Sequence, residues 1–181
     1  FRLTEEGAFA GIAGFLIRFI FPFPQNVPFM KILIVYMSYH HMNTEKIARA
    51  MAEVTGATLS KADEVDPGDL AGYDLIGFGS GIYGGKHHTS ILALADEMPP
   101  MEKPVFLFST SGGYKEEFHT PLRRKVITKG CTIINEFHCP GEATFLKFIR
   151  VNKGRPDEQD LENARIFAKG LLATPGAEKQ E

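Results

Sequence analysis

The chain predicts an α/β domain built around a parallel sheet, and three observations carry that reading. Short apolar runs without alternation, led by Ile32-Leu33-Ile34-Val35-Tyr36, read as strands buried on both faces. The stretch that follows places apolar residues at 47, 48, 51, 52 and 54, one face of a helix. All six histidines (His40, His41, His87, His88, His119 and His138) lie in segments that follow strand candidates. In open α/β sheets that is the edge where ligands bind.

From Met30 onward strand and helix patterns alternate. Ala57 to Lys61 is a short second strand, and Asp66-Pro67-Gly68-Asp69 marks a turn. Tyr73 to Ser80 is the third strand and ends in small residues, and Ser90 to Met98 fits a helix. Pro104 to Ser109 is a strong fourth strand. Thr120 and Pro121 then open a helix that Gly130 stops, by the usual preferences for a hydroxyl cap, proline in the first turn and glycine past the end. Thr132 to Phe137 is the fifth strand. Leu161, Ala164, Phe167, Ala168, Leu171 and Leu172 stripe the last helix. Five strands with intervening crossovers imply a parallel sheet wound with right-handed connections.

Residues 1–29 differ in character. An apolar stretch from Ala8 to Phe23, broken by Arg18, is shorter than the ~20 residues a spanning helix needs. Pro22, Pro24 and Pro28 follow it, and Met30 has the look of a natural start. These residues are expected to be a leader outside the fold, with no membrane association unless the leader is native. Residues 30–173 are expected to form the domain, and residues 174–181 a frayed tail.

The 181 residues carry a formal net charge of -2, and no basic stripe or Lys/Arg cluster suggests nucleic acid as a partner. Two cysteines, Cys131 and Cys139, make no disulfide framework, and a cytoplasmic, reducing compartment is the default. Neither cysteine has an arginine six residues on, so neither opens a cysteine-phosphatase loop.

Three loops after strands carry the candidate chemistry. Ser38-Tyr39-His40-His41-Met42-Asn43-Thr44 joins the first strand to a helix N-terminus, where unpaired N–H groups favour an anion. Ser38, Tyr39, Asn43 and Thr44 add neutral donors and the loop has no lysine, so a phosphate monoester suits it better than a nucleoside triphosphate. In Ser80-Gly81-Ile82-Tyr83-Gly84-Gly85-Lys86-His87-His88, three glycines let the backbone approach a flat ligand and Tyr83 offers a stacking face. Thr110-Ser111-Gly112-Gly113-Tyr114-Lys115 repeats the recipe of hydroxyls, glycines, an aromatic and a cation.

These residues resemble the flavodoxin-like family over Met30 to about Leu172. The first loop matches the pattern Ser-x-x-x-x-Asn-Thr-Glu-Lys-Ile-Ala from Ser38, and Ser80 to Gly84 and Ser109 to Gly113 resemble the second and third flavin loops. Cys139-Pro140-Gly141, followed by Lys153-Gly154-Arg155-Pro156-Asp157, is similar to a subgroup of small proteins in the family. The resemblance implies a three-layer sandwich on a five-stranded parallel sheet of order 2-1-3-4-5, with FMN as cofactor. By that resemblance Ser38, His40, His41, Asn43 and Thr44 surround the phosphate. Ser80, Gly81, Ile82, Tyr83 and Gly84 line the isoalloxazine, and Thr110, Ser111, Gly112 and Gly113 cover its other edge. The chain departs from the family twice. Met42 stands where glycine is usual before Asn-Thr, which costs ~1 kcal/mol or more if that position has positive φ. Its near-balanced charge also differs from strongly acidic electron carriers.

The implied function is electron transfer with a redox partner protein. The alternative is an FMN-dependent oxidoreductase, quinone or protoporphyrinogen-type, acting on a small flat substrate. The segment from Phe137 to Lys153, with Phe145, Leu146 and Phe148, favours it modestly. His87, His88 or His119 near the flavin edge could balance the anionic reduced ring. A metal-dependent hydrolase using the paired histidines with Asp74 and Glu117 is a remote alternative, since no spaced ligand motif appears. A receiver-type signalling domain would need paired acids after the first strand, and that loop has none.

Overall fold

A computed structural model describes residues 30–145 and 149–173 of the protein. The expected leader (1–29) and tail (174–181) lie outside the described residues, as do Leu146 and Phe148. The chain runs β1 (Ile32–Met37), α1 (Asn43–Thr55), β2 (Thr58–Lys61), β3 (Leu75–Tyr83), β4 (Lys86–His87) and α2 (Thr89–Glu97). It continues through β5 (Pro104–Ser111), α3 (Thr120–Thr128), β6 (Thr132–Pro140), β7 (Ala143–Phe145), β8 (Ile149–Val151) and α4 (Glu158–Leu172).

The main sheet has the order β2-β1-β3-β5-β6, with every neighbouring pair parallel. Counting parallel strands alone, this is the expected 2-1-3-4-5 order. Two short elements were not expected. β4 folds back antiparallel on the end of β3, and β7 pairs with β8 as a separate hairpin. The crossover from β2 to β3 is also no helix. It is a 3-10 turn, Pro67–Gly72, whose Leu70 plugs the sheet face completely.

All six residues of β1 are buried, as its unbroken apolar run requires. Alternation divides them between two layers. Leu33, Val35 and Met37 join Ile91 and Ala95 of α2, Met98 just past its end, and Leu122 and Val126 of α3. Ile32, Ile34 and Tyr36 join Ile47 and Met51 of α1 and Ala164, Ala168 and Leu171 of α4. Helices therefore cover both faces, and the sheet edges carry the loops.

Two glycines set the packing of the second layer. Gly77 and Gly79 on β3 lie in register with Phe106 and Phe108 on β5. A Cβ on Gly77 would sit 2.3 Å from the Phe106 ring, and one on Gly79 would sit 2.1 Å from the Phe108 ring. The absent side chains are the space that the two rings fill.

Candidate flavin site at the carboxyl edge of the sheet

The loop after β1 turns through a 3-10 segment, His40–Met42, and enters α1 at Asn43, two residues earlier than the apolar stripe suggests. The turn is made by consecutive left-handed residues, His41 (φ 57°) and Met42 (φ 53°). Met42 thus takes the conformation that glycine would supply without strain. The result places Asn43 and Thr44 in the first helical turn, where both are buried. Thr44 Oγ1 and Thr110 Oγ1 lie 2.8 Å apart, tying this loop to the end of β5.

The loop after β3 is tighter than expected. β3 runs on to Tyr83, and Gly84-Gly85 (φ 57° and 81°) closes a two-residue hairpin onto β4. Consecutive positive φ values are what a hairpin of this length demands, and glycine meets them cheaply. The opening residues of the β5 loop are held by Gly141 N–H, which donates to Ser111 O, and by Asn152 Nδ2, which donates to Gly112 O.

These loops enclose a cavity of about 730 Å³, within the ~300–1,000 Å³ typical of cofactor sites. Eleven of the residues singled out from sequence line it: Ser38, His41, Asn43, Thr44, Gly81, Ile82, Tyr83, Gly84, Thr110, Ser111 and Gly112. The side chain of His40 lies outside the described residues. Two others do not line it. Gly113 lies exposed beyond the rim, where its carbonyl accepts from Ser111 Oγ at 2.5 Å. Ser80 is fully buried on the opposite face of β3. It shares strand parity with Ile76 and Phe78, whereas Gly81 shares that of Gly77 and Gly79.

Three lining residues were not anticipated: Glu142, Ala143 and Thr144. They belong to a fourth segment that crosses the mouth of the first loop. Asn43 Nδ2 donates to Glu142 O at 2.8 Å. A Cβ on Gly141 would come within 2.8 Å of the same Nδ2, which explains the glycine. Asn43 Oδ1 stays buried without a partner, an acceptor in the cavity wall that calls for a donor. The sequence signals for this segment were the Cys139-Pro140-Gly141 resemblance and the aromatic stretch from Phe137 to Lys153, neither of which singled out Glu142 or Thr144.

Behind the cavity, on the α3 side of the sheet, the histidines form a buried network. A bulge between the β5 partners Val105 and Phe106 inserts one extra residue in β6 and flips its alternation. Glu136 and His138 thereby face the same layer as Ser109. His119 Nε2 lies 2.7 Å from Ser109 Oγ, and its Nδ1 lies 2.5 Å from Glu136 Oε2. Arg123 Nη2 donates to the same carboxylate oxygen at 2.8 Å, with its Nε on the other. His138 Nδ1 approaches Ser109 Oγ at 3.3 Å, and Tyr114 stacks on the His138 ring at 4.2 Å.

Burial pushes His87 down to about 3, with a smaller push from neighbouring His119. Burial also pushes His138 down to about 4 and lowers His119 despite the opposing pull of Glu136. For Glu136, burial works to raise the carboxyl, but the Arg123 and His119 hydrogen bonds outweigh it and hold it below its ordinary value. The tautomers follow. Ser80 Oγ donates to Gly81 O, so it accepts from His87 Nδ1, 3.0 Å away, and His87 Nε2 is left as a buried acceptor without a partner. His88 Nδ1 accepts from Ser90 N–H and caps α2. Burial thus works against a charge on His87 or His119 that would offset an anionic ring.

Among the described residues no cluster of three His, Cys, Asp or Glu side chains could hold a metal ion. No helix among them is long and apolar enough to cross a membrane.

A doubly wound domain with a cavity built from the loops after its first, third and fourth parallel strands defines a class of mononucleotide-binding α/β proteins. Comparison with known proteins makes the class specific. The flavodoxin domain family matches residues 33–134. An uncharacterized protein of Methanocaldococcus jannaschii is 47% identical over 148 residues, covering 79% of this chain and 99% of that protein. Oxidised flavodoxin 2 from Bacillus cereus superposes with a TM-score of 0.63 at 22% identity, covering 79% of this chain and 98% of that one. A Lactobacillus acidophilus flavoprotein, solved in complex with FMN, superposes with a TM-score of 0.51 at 22% identity, covering 60% of this chain and 93% of that one. The chain belongs to the flavodoxin family. Its cavity also fits FMN on its own terms: glycine backbone and a tyrosine face for a flat ring, neutral donors at a helix start for the phosphate, and a buried acceptor awaiting a hydroxyl.

Proposed function

We propose that the protein binds FMN in this cavity and acts in cytoplasmic electron transfer with a partner protein. The observation that carries the reading is the convergence of three loops, far apart in sequence, on one cavity with a phosphate-suited end and a flat-ring end. FMN supplies the redox chemistry when bound, and the chain supplies position and environment. Asn43 and Thr44 in the first turn of α1 hold the tail, while Gly81 and Tyr83 flank the ring.

A second reading, an FMN-dependent oxidoreductase for a flat substrate of the quinone or protoporphyrinogen type, is favoured by a neighbouring cavity of about 380 Å³. Tyr39, Tyr83, Lys86 and His88 help line it, and it shares Tyr83 with the flavin cavity. Anaerobically reduced, FMN-loaded protein mixed with a haem-protein acceptor or with quinones separates the two. Rapid oxidation by the protein acceptor and slow oxidation by quinones supports the carrier. The reverse ranking supports the oxidoreductase.

A further inference from the structure

The first loop carries no lysine or arginine, which left the phosphate to neutral donors. The fourth segment changes that balance. Glu142 and Thr144 line the cavity, and Glu142 O accepts from Asn43 Nδ2 at its tail end. Thr144 pairs in register with Arg150 across the antiparallel hairpin of β7 and β8. Residues directly opposite one another in such a pair project from the same face. Arg150 therefore shares the face of Thr144; it is exposed and does not itself line the cavity.

Its guanidinium reaches the cavity wall through Glu142, which does line it. Arg150 Nε donates to Glu142 Oε1 at 2.6 Å and Nη2 bonds the same oxygen, while Gly154 N–H donates to Oε2 at 3.0 Å. Two of five guanidinium N–H groups are engaged in this way, and three remain available for the fork geometry that phosphate accepts. A dianion entering beside a lone carboxylate would be repelled. Beside a carboxylate already carrying an arginine, it meets a cation with donors to spare.

We propose that Arg150 is the charged phosphate ligand of this site, delivered by the β7–β8 hairpin and held in place by Glu142. The inference rests on the reading of the cavity as an FMN site and adds a residue to it from outside the first loop. It predicts that the tail end discriminates FMN from riboflavin by charge as well as by neutral hydrogen bonds.

Titration of the flavin-free full chain with FMN and with riboflavin, read by flavin fluorescence, tests it. Arg150→Gln should weaken FMN about tenfold or more while leaving riboflavin within about twofold, as the loss of a charge-assisted hydrogen bond requires. Arg150→Lys should keep part of the preference. Added salt should weaken FMN but not riboflavin in the wild type. Arg150→Lys and the salt series serve if Arg150→Gln does not fold. Equal losses for both flavins would make Arg150 a support of the hairpin only and overturn the proposal. No change for either flavin would overturn it as well. Wild-type protein that binds neither flavin would defeat the FMN reading itself.

Discussion

His87 gives the most direct handle on the buried network. It is 1% exposed, its Nε2 has no partner, and burial lowers it from 6.5 to about 3. The folded state therefore binds fewer protons at this site than the unfolded state does. Stability from a neutral His87 is fully present above the unfolded value of 6.5 and is lost as pH falls from there toward about 3. Between about pH 7.5 and about pH 4.5 the loss from this residue is ~2–3 kcal/mol, because one unit of pKa difference is worth about 1.4 kcal/mol. The size is set almost wholly by the unfolded value, since the folded value lies well below the lower pH. The carboxylates titrate in the same range, so the comparison must be made between proteins. Urea unfolding of wild type and His87→Gln at both pH values isolates the histidine. The wild type should lose ~2–3 kcal/mol more than the variant across the interval. Parallel losses would mean that the native imidazole is protonated or hydrated, and the reasoning about the network would fail.

Two substitutions test the backbone and the packing. Gly79→Ala forces a Cβ to within 2.1 Å of the Phe108 ring and should cost ~1–3 kcal/mol in urea unfolding, partly recovered by adding Phe108→Leu. Met42→Gly releases a left-handed residue that is 40% exposed. Relief of roughly 1–2 kcal/mol of strain exceeds the ~0.5–1 kcal/mol entropic cost of glycine, so the variant should gain about 0.5 kcal/mol and a higher Tm. A lower Tm would mean that the Met42 side chain contributes packing the loop needs.

Much of the fold was legible because its signals are local. The unbroken run from Ile32 can only be a strand buried on both faces, and helix patterns between such runs imply parallel crossovers. Met42 was conspicuous because it stands where the family usually has glycine, and it does adopt a left-handed conformation. The misplacement of Ser80 came from treating Ser80 to His88 as an irregular loop. The strand in fact continues to Tyr83, and its parity from Ile76 onward sends Ser80 to the far face. The contributions of Glu142 and Thr144 were hidden for a different reason. They reach the cavity through a hairpin that must first cross the sheet edge and dock on Asn43, a contact 99 residues apart in sequence. The histidine network depends likewise on one extra residue in β6, which flips Glu136 and His138 toward His119. No composition or spacing announces such a bulge.

The central claim is that the carboxyl edge of this sheet forms a single FMN site. Titrating flavin-free protein into FMN while following flavin fluorescence and visible absorbance tests it most directly. The account predicts saturable binding at one FMN per chain, with quenched emission and a perturbed absorption band. FMN that remains free and fully fluorescent beside an excess of folded protein would contradict it.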